Sequence, residues 1–264
     1  MNIWTKKSID LANQRNYLDL LYKVYPMSVN LRRELDPFEI DSITKHFNEQ
    51  NGVELIKILL NQEIFPIKDS YVAYLKRDKT SIERNPATIE RLSGMLFEMG
   101  LDEIFEKTTQ PKETNRQIGP LFKNWVSSGK IGVKITHNHD EFIKYNGNVI
   151  LNTSDADMYS FASKHLGYNH SKGLDFIGKF NNKYIVGEAK FLSDFGGHQN
   201  AQFNDAISTL TALFNTENEV IPIAILDGVL YINGNNKMYR SITEDYNNQV
   251  ILSSVLLRDY LFSI

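Results

Sequence analysis

Three side chains in the second half of the chain have the types and spacing of a hydrolytic site: Asp175, Glu188 and Lys190. Twelve residues separate the two acids, and the lysine follows the glutamate by two positions. Paired carboxylates can hold a divalent cation. Mg2+ takes one or two of them and fills its other positions with water and phosphate oxygens. A neighbouring lysine adds a compact positive charge that holds or deprotonates an attacking water, or stabilises a phosphorane-like transition state. Phosphodiester hydrolysis at neutral pH calls for that combination. Glu-x-Lys alone is a commonplace pair of strand charges, so the question is whether the fold brings Asp175 to it.

The surrounding sequence reads as a β-hairpin. Strands are expected over Gly173–Phe180 and Lys183–Phe191, joined by Asn181-Asn182. Asparagine tolerates the left-handed backbone of a two-residue turn. If Phe180 pairs with Lys183, opposed residue numbers sum to 363 and Asp175 faces Glu188 directly. Their β-carbons would then lie roughly 5 Å apart. Lys190 shares that face because strand side chains alternate. Leu174, Phe176, Ile185, Ala189 and Phe191 occupy the other face and are the expected core. Opposed carboxylates repel, and a bound cation removes the penalty. A bulge would move Asp175 off its partner.

The next helix is expected over about His198–Phe214, with Phe203, Ile207, Leu210 and Phe214 facing inward. Gln199 and Gln202 stand at its start, where buried amides need partners. Phosphate oxygens, DNA or a water on the cation could serve, and so could a helix end entering solvent. Further strands are expected over Gly132–Ile135, Asn148–Leu151, Val220–Leu226 and Val229–Ile232, the last two separated by an Asp227-Gly228 turn. A helix is expected over about Asp155–Leu166 and another over Arg116–Ser127.

Before this mixed α/β half the chain reads as helical. One helix is expected from Ser8 to Tyr25, stopped by Pro26. Another starts at Asn85-Pro86, buries Ile89, Leu92, Met95, Leu96 and Met99, and stops at Gly100. The polar run Thr108–Asn115 is the best boundary. The expected division is therefore a helical region over 1–109, for recognition, dimerisation or both, and a catalytic domain over 110–264.

Composition sets limits. The chain has 264 residues, is 42% hydrophobic and 23% charged, and carries a net charge of −3. There is no cysteine, which removes disulfides, thiol nucleophiles and the usual zinc sites. No apolar run is long enough to cross a bilayer and no signal core opens the sequence, so a cytoplasmic address and no membrane partner are expected. From Pro111 to Lys134, five cations (Lys112, Arg116, Lys123, Lys130 and Lys134) stand against Glu113 alone. Charge alone fits a solvated helix face equally well. Arg116 and Lys123, with Lys172 beside the first acid, are the cations assigned to DNA contact or site support; Lys179 reads more simply as a solvated charge. His137-Asn138-His139-Asp140 superficially suggests an HNH site but reads as a short polar loop, and His165 and His170 as surface histidines. Neither a Walker loop nor a nucleophile elbow is present.

These residues resemble the PD-(D/E)xK nuclease superfamily, and within it the type II restriction endonucleases. The resemblance rests on Gly173-Leu174-Asp175-Phe176-Ile177, the spacing to Glu188-Ala189-Lys190, and the run Phe195-Gly196-Gly197-His198-Gln199-Asn200-Ala201-Gln202. Gln199 and Gln202 resemble the glutamines of RecB-like relatives, and Arg116–Trp125 looks like the helix that precedes the core. It covers roughly Arg116–Leu226, and Leu174 stands where the motif writes proline. The resemblance implies an αβββαβ core with a central mixed β-sheet flanked by helices. It implies Mg2+ held by Asp175, Glu188 and the Ala189 backbone carbonyl, and cleavage of double-stranded DNA to 5′-phosphate and 3′-hydroxyl ends. It further implies a homodimer on a symmetric target and a cognate DNA methyltransferase in the same bacterial or archaeal system. Many relatives add an acid from the preceding helix; Arg116–Ser127 has none, and Asp155, Asp157 and Asp205 lie elsewhere. The alternatives are another nuclease of the superfamily, for repair or structure-specific cleavage, and a non-catalytic DNA-binding module.

Overall fold

The computed structural model describes residues 1–27, 34–111 and 115–264, and for residues 115–117 the backbone alone. The Lys112 end of the basic stretch and the Arg116 side chain lie outside the described residues. The chain opens with α1 (Ile3–Ala12) and α2 (Tyr17–Val24). Helices α3 (Pro37–Asn48), α4 (Gly52–Asn61), α5 (Ser70–Arg77), α6 (Ser81–Arg84), α7 (Pro86–Met99) and α8 (Leu101–Thr108) follow. Then come α9 (Asn115–Ser127), β1 (Lys134–Thr136), α10 (His139–Lys144), β2 (Val149–Leu151) and α11 (Asp155–Leu166). The hairpin strands are β3 (Phe176–Phe180) and β4 (Lys183–Leu192), succeeded by α12 (Gly197–Leu210) and β5 (Val220–Gly228). The C-terminal part adds α13 (Lys237–Arg240), β6 (Ile251–Leu252) and α14 (Leu257–Ser263).

The architecture is mixed α/β, a six-stranded sheet in the order β1-β2-β3-β4-β5-β6 with helices packed against it. Strand β3 runs antiparallel to both of its neighbours, β2 and β4, whereas β1 pairs parallel with β2, and β5 with β4 and β6. Asn181 and Asn182 both take positive φ, 48° and 64°, which is what a two-residue turn between twisted strands demands. Phe180 pairs with Lys183 as the turn dictates. Alternation then sorts the hairpin into two cores. Phe176, Phe180, Ile185 and Ala189 join one cluster with α9, α12 and β5 residues. Ile177, Tyr184 and Val186 join another with Phe142 of α10 and Met158 and Phe161 of α11. Leu174, expected with Phe176, packs instead in this second cluster, because the chain leaves the regular strand before reaching it.

The molecule divides into two compact units, residues 1–27 with 114–264, and residues 28–113. That differs from the 1–109 and 110–264 division expected from sequence. The reason lies in the first two helices: Leu11, Tyr17, Leu21, Val24 and Tyr25 are buried in the core that lines β4 and β5. The single helix expected from Ser8 to Tyr25 is two, since α1 ends at Asn13, whose N–H and side-chain amide both bond the Ile9 carbonyl. The second unit is all helical among its described residues, with its own core of Ile43, Leu55, Ile56, Leu59, Leu92, Leu96 and Ile104. The Asn85-Pro86 start and the Gly100 stop of α7 stand where the sequence places them.

The strand expected at Val229–Ile232 is a 3-10 turn over Val229–Tyr231, and Asp227-Gly228 is not a hairpin turn. β5 runs through both residues, pairing Asp227 with Phe191 and Gly228 with Leu192. Gly228 has φ of +100°, and a β-carbon there would lie 2.1 Å from the Leu192 carbonyl oxygen, so only glycine fits.

Candidate active site

Asp175, Glu188 and Lys190 meet at the start of β3 and the far half of β4. The Lys190 ammonium stands 2.5 Å from Glu188 Oε1 and 3.1 Å from Asp175 Oδ2, so it bridges both acids. Glu188 and Lys190 face the same way by strand alternation. Burial, with Asp175 next in importance, lifts the Glu188 carboxyl from 4.5 to about 7. Burial works against the Lys190 charge, yet the two acids outweigh it and leave its pKa raised. The lysine is therefore held as an ammonium.

The approach of Asp175 differs in detail from direct opposition. The regular ladder ends at Phe176 and Gly187. The Asp175 N–H also reaches the Gly187 carbonyl, at 3.1 Å, so one extra residue enters on this side, the hydrogen-bonding pattern of a β-bulge. The Asp175 carboxylate then takes over a backbone role and accepts the Ala189 N–H at 2.9 Å. The bulge thus keeps the acid beside Glu188 and fixes its rotamer.

The donor set fits a hard divalent cation. Glu188 Oε2 is buried and has no hydrogen-bond partner. Such an oxygen costs free energy unless something binds it. The described residues contain no cluster of three or more His, Cys, Asp or Glu side chains suited to a metal. Asp175 and Glu188 offer carboxylate oxygens, the donor type that hard divalent cations take.

The flanking residues divide into brace and ion pair. Gln199 is buried on α12; its Oε1 accepts the Ser193 N–H at 3.3 Å and its Nε2 donates to Ser193 Oγ at 3.2 Å. It ties down the loop that follows β4, so its amide answers a protein group. Gln202 is half-buried on the same helix. Lys172 pairs with Asp205 at 2.9 Å, Lys123 with Asp155, and His139 with Asp157 at 2.9 Å. Each of the three stray acids considered above therefore has a cationic or histidine partner. Asp155 alone among them also bears on Glu188, helping to raise its pKa. Gly173 lets the chain pass close by, as a β-carbon there would lie 2.9 Å from Asp155 Cβ. Lys179 is not a solvated charge: it is buried and donates to the Ile143 carbonyl at 2.8 Å. His139 and Asp140, expected in a loop, open α10 with Asn138 as its N-cap.

One buried cluster escaped the sequence reading. Asp227 accepts hydrogen bonds from Tyr25 (2.8 Å), Tyr17 (3.4 Å), Ser253 Oγ (2.5 Å) and the Ser254 N–H (3.2 Å). Burial pushes its pKa up. The Tyr25 ring also packs edge-on against Phe191, beside Lys190 in sequence. An acid at a strand end preceding glycine reads as a turn, and nothing local in the sequence distinguishes this one.

Compared with known protein families, the chain matches the model of one described as Tsp45I type II restriction enzyme, over residues 2–264. No curated protein and no solved structure matches it.

Proposed function

The chain belongs to the Tsp45I type II restriction enzyme family, and on that premise we propose that Asp175, Glu188 and Lys190 form a Mg2+-dependent site for cutting double-stranded DNA. The observation that carries the reading is the buried, unpartnered Glu188 oxygen beside Asp175 and Lys190. Asp175, Glu188 and the Ala189 carbonyl would hold the ion, which when bound supplies a Lewis acid against the scissile phosphate. Lys190 acts as a donor: its ammonium steadies the incoming water and the charge that grows on the phosphoryl oxygens. In-line attack on phosphorus, with departure of the 3′ oxygen, leaves a 5′-phosphate and a 3′-hydroxyl. Lys172 and Lys123, released from their acid partners, would contact the DNA backbone; Gln199 supports the loop after β4, and Gln202 is assigned a supporting place beside it.

A symmetric target favours a twofold homodimer, one site per strand. The helical unit is assigned to recognition, dimer contacts or both. Such an enzyme works in the cytoplasm of a bacterium or archaeon beside a methyltransferase that protects the host's own sites. No described helix is long and apolar enough to cross a membrane. Incubation with unmodified phage DNA and Mg2+, then with EDTA, tests the proposal. Discrete fragments that depend on the metal are expected, with ends of the stated chemistry; intact DNA under both conditions overturns it.

A further inference from the structure

In the helical unit, α5 leaves Tyr71 and Tyr74 63% and 60% exposed, three residues apart and hence on one face. They form one wall of an open groove with Leu75; Arg84, Asn85 and Thr88 form the other. The groove is held by two carboxylates. Asp69 caps α5 through the Tyr71 N–H and also accepts from Arg91 Nη1, both at 2.8 Å, while the Arg91 guanidinium lies 5.6 Å from the Tyr71 ring centre. Asp78 accepts from Thr80 N (3.1 Å), Thr80 Oγ1 (2.6 Å) and Arg84 Nη2 (2.5 Å), fixing the α5–α6 corner. Asn85 Nδ2 donates to the Ser81 carbonyl at 2.7 Å. Arg84 and Asn85 are thus held in place before any partner arrives, so binding would cost little further entropy there.

We propose that this groove reads base edges of duplex DNA, with Arg84, Asn85 and Thr88 as specificity-determining residues and Tyr71 and Tyr74 as positioning residues on the DNA backbone. The proposal rests on the restriction reading above and goes beyond it by naming where the target is recognised. Chemistry selects the partner. An arginine matches the guanine edge and an asparagine the adenine edge. A threonine can meet the thymine methyl, and tyrosines can hydrogen-bond phosphates. Charge agrees: residues 68–91 carry six Lys or Arg against four Asp or Glu, in a chain whose net charge is −3.

The test starts from unmodified bacteriophage DNA, cut by the wild-type protein with Mg2+ and mapped by sequencing the ends. A labelled duplex with the mapped site and a scrambled duplex are then titrated in Ca2+ with wild type, Tyr71→Ala/Tyr74→Ala, Arg84→Ala and Asn85→Ala. Affinity for the mapped duplex is expected to fall about tenfold to a hundredfold in Arg84→Ala and Asn85→Ala, with a much smaller change on the scrambled one, whereas the double tyrosine variant should weaken both duplexes alike. Melting temperatures accompany every titration; a variant that melts early is replaced by Tyr71→Phe/Tyr74→Phe or Asn85→Asp, which keep the side-chain shape. An unchanged preference for the mapped site in the folded Arg84 and Asn85 variants overturns this proposal and leaves the nuclease reading intact. Failure of the wild type to cut DNA at all overturns both.

Discussion

Replacing Glu188 by glutamine tests the site through stability, independently of turnover. The substitution keeps the side-chain shape and removes its charge. With the carboxyl lifted from 4.5 to about 7 by burial and by Asp175, holding it ionised costs the metal-free fold about 3 kcal/mol. The sign follows from linkage. A folded pKa above the unfolded value gives stability that is complete below pH 4.5 and lost as pH rises through about 7. The variant never ionises and escapes that loss. Its amide oxygen still accepts from Lys190, as the neutral carboxyl does below pH 4.5. Glu188→Gln is therefore expected to be more stable than wild type by about 3 kcal/mol at pH 8 in EDTA, and about equal near pH 4. Urea denaturation followed by circular dichroism at both pH values measures this. Adding Mg2+ should reverse the order, because the wild type alone keeps both carboxylates. A variant less stable than wild type at pH 8 in EDTA, or a difference independent of pH, would refute the reasoning.

Asp175→Ala and Lys190→Ala are each expected to abolish cleavage while leaving DNA affinity largely intact; wild-type rates from either would contradict the assignment. Tyr25→Phe removes the 2.8 Å bond to Asp227 and should cost about 1–3 kcal/mol, read by chemical denaturation at pH 7; an unchanged midpoint would show that the tether contributes nothing. Arg91, and then the Tyr71 N–H, hold the Asp69 carboxyl below its usual 3.8. Its contribution is present above that value and is lost as pH falls through the depressed one, so Asp69→Asn should flatten the acid limb of a stability–pH curve, and parallel curves would count against the clamp. Gly228→Ala should destabilise by about 2 kcal/mol or more, from φ strain and the clash with Leu192; a neutral thermal shift would disprove that fit.

The hairpin was legible because its determinants are local. Two asparagines dictate the turn, the turn sets the register, and the register puts Glu188 and Lys190 on one face. The bulge at Asp175 was not, since it depends on a side-chain oxygen replacing a backbone acceptor, which residue spacing does not encode. The boundary near residue 110 was visible in a polar run. That α1 and α2 belong with the sheet was hidden, because their apolar stripes show that they bury a face without saying against what. Asp227 misled for a related reason: its partners Tyr17, Tyr25 and Ser253 lie far away in the chain, and Asp-Gly read locally is a turn. Lys179 looked like a solvated charge and Gln199 free to meet DNA, whereas tertiary partners occupy both.

The Asp227 knot also dictates an order of events during synthesis. Tyr25 and Asp227 are 202 residues apart in sequence, and Ser8 and Ser253 are 245 apart. The helical unit, a continuous stretch, can fold as soon as it leaves the ribosome. The first two helices must wait, their polar groups unmatched, until nearly everything else has been translated. A chain that stops short of Asp227 therefore lacks the acid to which Tyr17 and Tyr25 bond.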